Sequence, residues 1–374
     1  MSWFLTKALS IRSKAGSSCS EGCSGDDAMT RQKVIVFTKL FWPEGGGAEL
    51  ATYLIVRDVL SKYFDVVIVS GTRRPKADVL KYCNCKYIHW PILGARYKPA
   101  EWLKLFANTR IVRKLVEQAD IVYIPSHTLL PLAIIAEAVK PSVKVVIHLH
   151  NYQPLTYTSV VLAGREPDLE TDVVVERAEH DSLLRAIFAG TGHYVNLLSR
   201  LALYYAEKVI CASKRQLEIL AKYIPMLRSK AVLVYNPPPP LPSIEKKPSM
   251  KPTIIYVGGG SFIKGFYTAI KALAKMATKL DYRIYVAGTF SGREKAFLRR
   301  MVVKQHGRFI ALGKLPHGEL LKLHEFAWGT LFPSICEEPL PYAVVESCLL
   351  GTVPVAARVG GVPEIVEGTY AEKL

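Results

Sequence analysis

The chain has 374 residues, 50% of them hydrophobic and 22% charged, a composition that excludes disordered, collagenous and coiled-coil chains, each of which needs a stronger bias. At about 150 residues per domain the length predicts two or three domains. Lys and Arg outnumber Asp and Glu by 49 to 32, for a net charge of +17; phosphate ligands, an anionic membrane surface, nucleic acid and ordinary solubility charge all fit that balance.

Residues 1–30, with SKAGSSCSEGCSGDD among them, read as a flexible tail in which Met29 is a candidate start. Lys7 and Arg12 interrupt the apolar stretch that a secretory signal needs, so a cytoplasmic chain is expected. From 31 to 236, β-rich apolar runs alternate with segments of helical length: KVIVF (33–37), DVVIVS (65–70), DIVYI (120–124), KVVIHLH (144–150) and KVICAS (208–213). Nearly continuous Val/Ile runs fit strands buried on both faces of a parallel sheet, and a parallel sheet needs helical crossovers.

Within this half, residues 97–120 set Trp102, Leu103, Phe106, Ile111 and Leu115 among Lys98, Lys104, Arg110, Arg113 and Lys114. Such a basic amphipathic segment either lies on an anionic membrane surface or packs its apolar face on the sheet. The apolar run Ile121–Ala136 contains Pro125, His127 and Pro131 and falls short of the ~20 residues that span a bilayer, so no transmembrane segment is expected.

Prolines 237–240, followed by Pro242, Pro248 and Pro252, mark a linker over 237–252, because no helix or central strand accommodates them. The strand rhythm restarts over 253–374 with TIIYVG (253–258), YRIYVAG (282–288), RFIALG (308–313), GTLFPS (329–334) and VPVAA (353–357). The expected architecture is α/β, with two tandem Rossmann-like, doubly wound domains that offer a cleft beyond the carboxyl ends of their strands. The seven cysteines, Cys19, Cys23, Cys83, Cys85, Cys211, Cys336 and Cys348, are scattered and odd in number, which suits reduced thiols rather than a disulfide framework or a zinc site.

The segment SICEEPLPYAVVESCLLGTVPVAARVGGVPEIVEG carries the most chemistry. Glu338 and Glu346 stand in E-x7-E spacing, Pro341 suits the first position of a helix and Gly351 its stop. Glu338 is then expected in a loop at the helix mouth and Glu346 within the helix, while the free N–H groups around Leu340 and Pro341 face an anion such as a diphosphate. Plainer readings stand beside this. Paired glutamates are common on solvated helix faces, Lys264 before Gly265 is an ordinary helix start, and Gly45, Gly46 and Gly47 are an ordinary loop unless their N–H groups approach an anion.

The E-x7-E spacing with GTVPVA and GGVPEIV resembles the signature of retaining, nucleotide-sugar-dependent glycosyltransferases of GT-B fold, the family 4-like group. YVGGGSFIKG resembles that family's V-G-R-L-x3-K-G motif, EGGGAEL its first glycine loop, and VVIHLHNYQP the stretch that supplies a histidine to the cleft; the resemblance spans roughly residues 33 to 368. It implies Glu338 on the sugar hydroxyls, Glu346 on the nucleotide ribose, Lys264 with Gly258 on the donor diphosphate, and Gly46 and Gly47 beside them. Of His148 and His150 it favours His150 for the cleft; His127 resembles another cleft-edge position of the family but is read as structural. Gly259 stands where the family has an arginine.

The implied activity is hexosyl transfer from a nucleotide sugar to a glycan, lipid-linked or small-molecule acceptor, with no cofactor and no nucleic-acid partner. No D-x-D occurs, so no metal is expected. The chain stops soon after Gly368, where the family continues, so a truncated C-terminal domain is also expected, and with it an inactive donor-binding chain as the alternative. A GT-B epimerase or phosphorylase is a weaker one. EGGGAEL lies too far from Phe37 for the tight turn of a dinucleotide-binding dehydrogenase.

Overall fold

The computed structural model describes residues 31–75, 78, 85–94, 98–276, 279–304 and 308–373. The tail at 1–30, with Cys19, Cys23 and the candidate start Met29, lies outside the described residues, as does Cys83.

Every expected strand is present, within a residue or two at its ends. Seven strands form the first sheet, in the order β3-β2-β1-β4-β5-β6-β7: β1 (Lys33–Thr38), β2 (Asp65–Ser70), β3 (Lys86–His89), β4 (Ile121–Ile124), β5 (Lys144–Leu149), β6 (Lys208–Cys211) and β7 (Ala231–Leu233). Five form the second, in the order β10-β9-β8-β11-β12: β8 (Thr253–Tyr256), β9 (Arg283–Ala287), β10 (Phe309–Gly313), β11 (Gly329–Phe332) and β12 (Val353–Ala356). All pairings are parallel. In both sheets the strand order reverses once, beside β1 and β4 in the first and beside β8 and β11 in the second, and it is at such switch points that doubly wound sheets open a crevice.

The helices are α1 (Gly47–Ile55), α2 (Lys98–Ala107), α3 (Thr109–Val116), α4 (Pro131–Val139), α5 (Leu169–His180), α6 (Leu183–Thr191), α7 (His193–Tyr205) and α8 (Lys214–Tyr223) in the first half. The second half has α9 (Phe266–Met276), α10 (Gly292–Lys304), α11 (His317–Lys322), α12 (Tyr342–Leu349) and α13 (Val362–Val366). The central strands are buried on both faces, as their Val/Ile runs require: Val34, Val36, Val66 and Ile68 pack with α1, and Ile35, Phe37, Val122 and Ile147 pack in the larger cluster with α2, α3, α4, α7 and α8. Residues 234–252 hold no helix or strand, in keeping with their prolines.

Two elements differ from the sequence-based expectation. The basic segment is not one amphipathic helix: Asn108, at φ −110° and ψ 27°, separates α2 from α3. Of the two readings of its apolar face, Trp102 follows the packed one: it is buried, and its indole N–H donates to the Thr128 carbonyl at 2.7 Å. Leu105, Val112 and Val116 make up the rest of the buried face, while Leu103, Phe106 and Ile111 stay exposed. Pro341 is the cap of α12, extended at φ −76° and ψ 114°, and the helix begins at Tyr342.

Candidate functional site

Segments that leave the carboxyl ends of strands in both sheets meet around a cavity of about 280 Å³. Gly47 and Ala48 come from the start of α1, His150 from the end of β5 and Asn236 from beyond β7; the facing wall is Val257, Gly258 and Lys264 after β8, Pro333 after β11, and Glu338 to Ala343 running into α12. The halves are joined closely here. Tyr342 packs into the apolar cluster around α1, its hydroxyl donates to the Pro237 carbonyl at 2.8 Å, and Gly47 is so near that a methyl group on it would sit 3.2 Å from the Tyr342 ring.

Further contacts brace the cleft. Glu337 pairs with Arg215 at 2.7 Å, and Glu364 of α13 accepts from the backbone N–H groups of Lys214 and Arg215 that open α8. A carboxylate is favourable at that helix end because the dipole there is positive. Glu179 of α5 accepts from the Ser261 hydroxyl and the Ile263 N–H, both at 2.8 Å, within the loop that carries Lys264. Leu162 bridges Cys336 in antiparallel fashion.

In the cavity wall Lys264 forms an ion pair with Glu338. Burial alone pulls the Lys264 ammonium down, but the Glu338 carboxylate outweighs it and the pKa rises above the ordinary lysine value. Gly265 follows at φ +73°, and a β-carbon there would fall 1.9 Å from the Pro333 carbonyl oxygen. Only glycine lets the chain turn tightly enough to hold Lys264 against the end of β11.

His148 and His150 are two positions apart and so lie on the same side of the chain, His148 within β5 and His150 just beyond its end. His148 is buried and bonded to the Tyr123 hydroxyl at 2.8 Å, whereas His150 lines the cavity, with the two rings 4.1 Å apart. Burial lowers the pKa of His150 to about 4, so its imidazole is neutral at neutral pH. Two buried polar atoms of this wall, His150 Nε2 and Asn236 Oδ1, have no hydrogen-bond partner. Unpaired buried polar atoms are costly and rare in folded proteins, and a ligand with hydroxyl groups would satisfy both.

Of the residues expected in the site, Gly47, Gly258, Lys264, Glu338, Leu340, Pro341 and His150 share this cavity. Gly46 does not line it, and its N–H is donated to the Glu49 carboxylate at 2.7 Å rather than left for an anion. Glu346, also absent from the wall, is buried on α12 and paired with His317 Nε2 at 2.7 Å. His317 stands edge-on to Trp42 of the first half, with ring centroids 5.5 Å apart. Neither His317 nor Trp42 belongs to a motif with recognisable spacing, and Asn236 lies in VLVYNPP (232–238), a stretch that resembles the family's strand leading to the linker and points to no role for the asparagine. His127 lies outside the cavity wall. Among the described residues no group of three or more His, Cys, Asp or Glu could hold a metal ion, and no helix is long and apolar enough to cross a membrane.

The Glycosyltransferase Family 4 profile matches residues 45–238, and that of Glycosyl transferases group 1 matches residues 240–371. No curated protein matches the sequence significantly. Solved structures with the same fold include sucrose-phosphate synthase of Thermosynechococcus elongatus, at TM-score 0.61 and 15% identity, over 89% of this chain and 82% of that one. The HepE protein of Anabaena, solved in complex with UDP-glucose, gives TM-score 0.59 and 16% identity over 91% and 87%. The catalytic domain of starch synthase IV of Arabidopsis thaliana, solved with ADP and acarbose, gives 0.59 and 13% over 90% and 84%. These likenesses establish the GT-B fold.

Proposed function

We propose that this chain, which belongs to glycosyltransferase family 4, moves a hexose from a nucleoside-diphosphate donor to a glycan, lipid-linked or small-molecule acceptor with retention of configuration. The observation that carries the proposal is the shared wall of Lys264, Glu338, His150 and Asn236, drawn from both halves around one cavity. At about 280 Å³ the cavity is near the lower end of the roughly 300–1,000 Å³ of small-molecule sites. It suits the sugar and diphosphate end of a donor.

Such a reaction develops negative charge on the departing diphosphate, so the protein has to supply cations and oriented dipoles where that charge appears. Lys264 supplies the cation, and the first N–H groups of α12, which have no carbonyl one turn back, supply the dipole. Glu338 leaves its ion pair with Lys264 as the diphosphate takes the ammonium, and turns to the sugar hydroxyls. Neutral His150 and the Asn236 carbonyl oxygen complete the polar contacts to the sugar. Glu346, held by His317, receives the ribose hydroxyls. The helix dipole and Lys264 stand in for a divalent ion, so activity is expected to survive a chelator.

The complexes of the structural neighbours make UDP-glucose and ADP-sugars the first donors to test. A lipid-linked acceptor would bring the chain to the cytoplasmic face of a membrane, with Leu103, Phe106 and Ile111 exposed among Lys104, Arg110, Arg113 and Lys114 on α2 and α3. The test is a thermal-shift screen of UDP-, GDP- and ADP-sugars followed by turnover with the best donor. Stabilisation with sugar transfer supports the proposal. Stabilisation without transfer to any acceptor class identifies an inactive donor-binding chain, and the absence of stabilisation contradicts the proposal.

A further inference from the structure

Trp42 does not line the donor cavity, yet through it the first half reaches the carboxylate assigned to the ribose. It sits in the loop after β1, and that loop is pinned on either side of it. Phe41 is fully buried and its N–H donates to the Thr72 hydroxyl oxygen at 2.8 Å, while the same hydroxyl donates to the Glu44 carboxylate at 2.8 Å. The Glu44 N–H donates to the Phe41 carbonyl at 3.1 Å, which closes a turn around Trp42 and Pro43. The Trp42 side chain is half-buried and packs against the apolar cluster around α1.

What the indole meets across the cleft is His317, the first residue of α11. The ring centroids are 5.5 Å apart and the planes stand at 88°, the edge-to-face arrangement that aromatic pairs favour. The His317 side chain is 26% exposed and its Nε2 bonds to Glu346. An imidazole that is partly open to water can turn between staggered rotamers at little cost, and each turn breaks the bond to Glu346. The Trp42 ring removes that freedom. Glu346 itself is buried on α12, so its carboxylate is aimed by the group it bonds to.

We propose that Trp42 is a positioning residue for the nucleoside: across the cleft it fixes the His317 ring, and through that ring it aims the Glu346 carboxylate at the ribose. The carboxylate then belongs to the second half but takes its direction from the first, so nucleoside binding and contact between the halves support each other. This role rests on the assignment of Glu346 to the ribose under the proposed function, and the closing experiment tells failure of the one from failure of the other.

The test is calorimetric titration of a nucleoside and its diphosphate into wild type, Trp42→Ala, His317→Ala and the double variant, with the base taken from the thermal-shift screen. Trp42→Ala should weaken the nucleoside by about fivefold, in line with the loss of one aromatic pair, and Trp42→Phe should recover most of it. His317→Ala should weaken it further, and the double variant should bind no more weakly than His317→Ala, because Trp42 acts only through that ring. The gain in affinity from nucleoside to diphosphate, which Lys264 supplies, should stay within about twofold of wild type in Trp42→Ala, and turnover with the best donor should show a raised KM at unchanged kcat. A general loosening of the halves would reduce that gain as well. Should Trp42→Ala fold poorly, Trp42→Leu keeps apolar bulk against the α1 cluster without the ring, and the same losses are expected of it. Wild-type affinity in the Trp42 variants beside weak binding by His317→Ala would overturn the role of Trp42 and leave the ribose site standing. Unchanged affinity in His317→Ala would overturn the ribose assignment and this role with it. A loss from Trp42→Ala that persists in full when His317 is already alanine would put the indole on the nucleotide itself and overturn the positioning role.

Discussion

Glu346 of α12 and His317 of α11 meet at 2.7 Å although 29 positions separate them, and this contact sets the orientation of a carboxylate that is only 5% exposed. A polar group this buried needs a hydrogen-bond partner, and His317 Nε2 is the contact the structure provides. His317→Ala is therefore expected to weaken nucleoside binding by about 1.5–3 kcal/mol, the worth of a charge-assisted contact, with His317→Gln recovering part of it. Titration with a nucleoside that lacks phosphates measures this directly. Unchanged affinity in His317→Ala would remove the pair from the ribose site.

His150→Ala and Glu338→Ala should abolish transfer while the nucleoside diphosphate still binds, because both are placed at the sugar end of the cavity. Single-turnover assays beside calorimetric titration separate the two effects. A wild-type rate in either variant would take that residue out of the site. His148 would not replace His150, since its ring is buried against Tyr123.

Gly259 explains why the family's arginine is missing. Its φ is +58°, and a β-carbon there would come within 2.9 Å of the Thr289 carbonyl oxygen, while a β-carbon on Gly288 would fall 2.4 Å from the Gly259 Cα. Gly259→Arg should therefore cost about 1–3 kcal/mol of stability through backbone strain and add no affinity for a diphosphate. Urea unfolding and donor titration of the variant test both halves of this expectation. A gain in diphosphate affinity at unchanged stability would contradict it.

The buried histidines predict acid sensitivity. Burial lowers His150 and His324 to about 4, the latter with help from Lys246, and it lowers His148 further with help from His150. The unfolded chain takes up these protons first, near pH 6.5, so the stabilisation is complete above that pH and is lost as the pH falls towards 4. Each such group contributes up to about 1.4 kcal/mol per pH unit in that window. His324→Leu, remote from the cavity wall, should flatten the dependence of unfolding free energy on pH between 6.5 and 4.5; an unchanged slope would show that His324 does not titrate on unfolding.

Much of this was legible in the sequence because the fold writes itself into strand chemistry: Val34 to Phe37 or Val145 to Leu149 can be so apolar only where both faces of a sheet are covered. β3 was missed since KYIH is an exposed edge strand with no such signature. Lys264, Glu338 and Glu346 could be found because their motifs lie within one loop or one helix. His317, Trp42 and Asn236 come together only through the packing of the two halves, which no local spacing records. Whether Trp102 packs on the sheet or faces outward stayed open for a related reason: a helix that is apolar on more than one side does not announce which side the core takes.

The exchange of partners at Lys264 bears most directly on donor binding. Lys264→Ala and wild type should be titrated calorimetrically with a nucleoside diphosphate and with its nucleoside, using the base identified by the thermal-shift screen. The expected result is a loss of about 1.5–3 kcal/mol for the diphosphate, with little change for the nucleoside, because the ammonium meets only the phosphates. Equal affinity of the two proteins for the diphosphate would contradict the assignment of this cavity to a nucleotide-sugar donor.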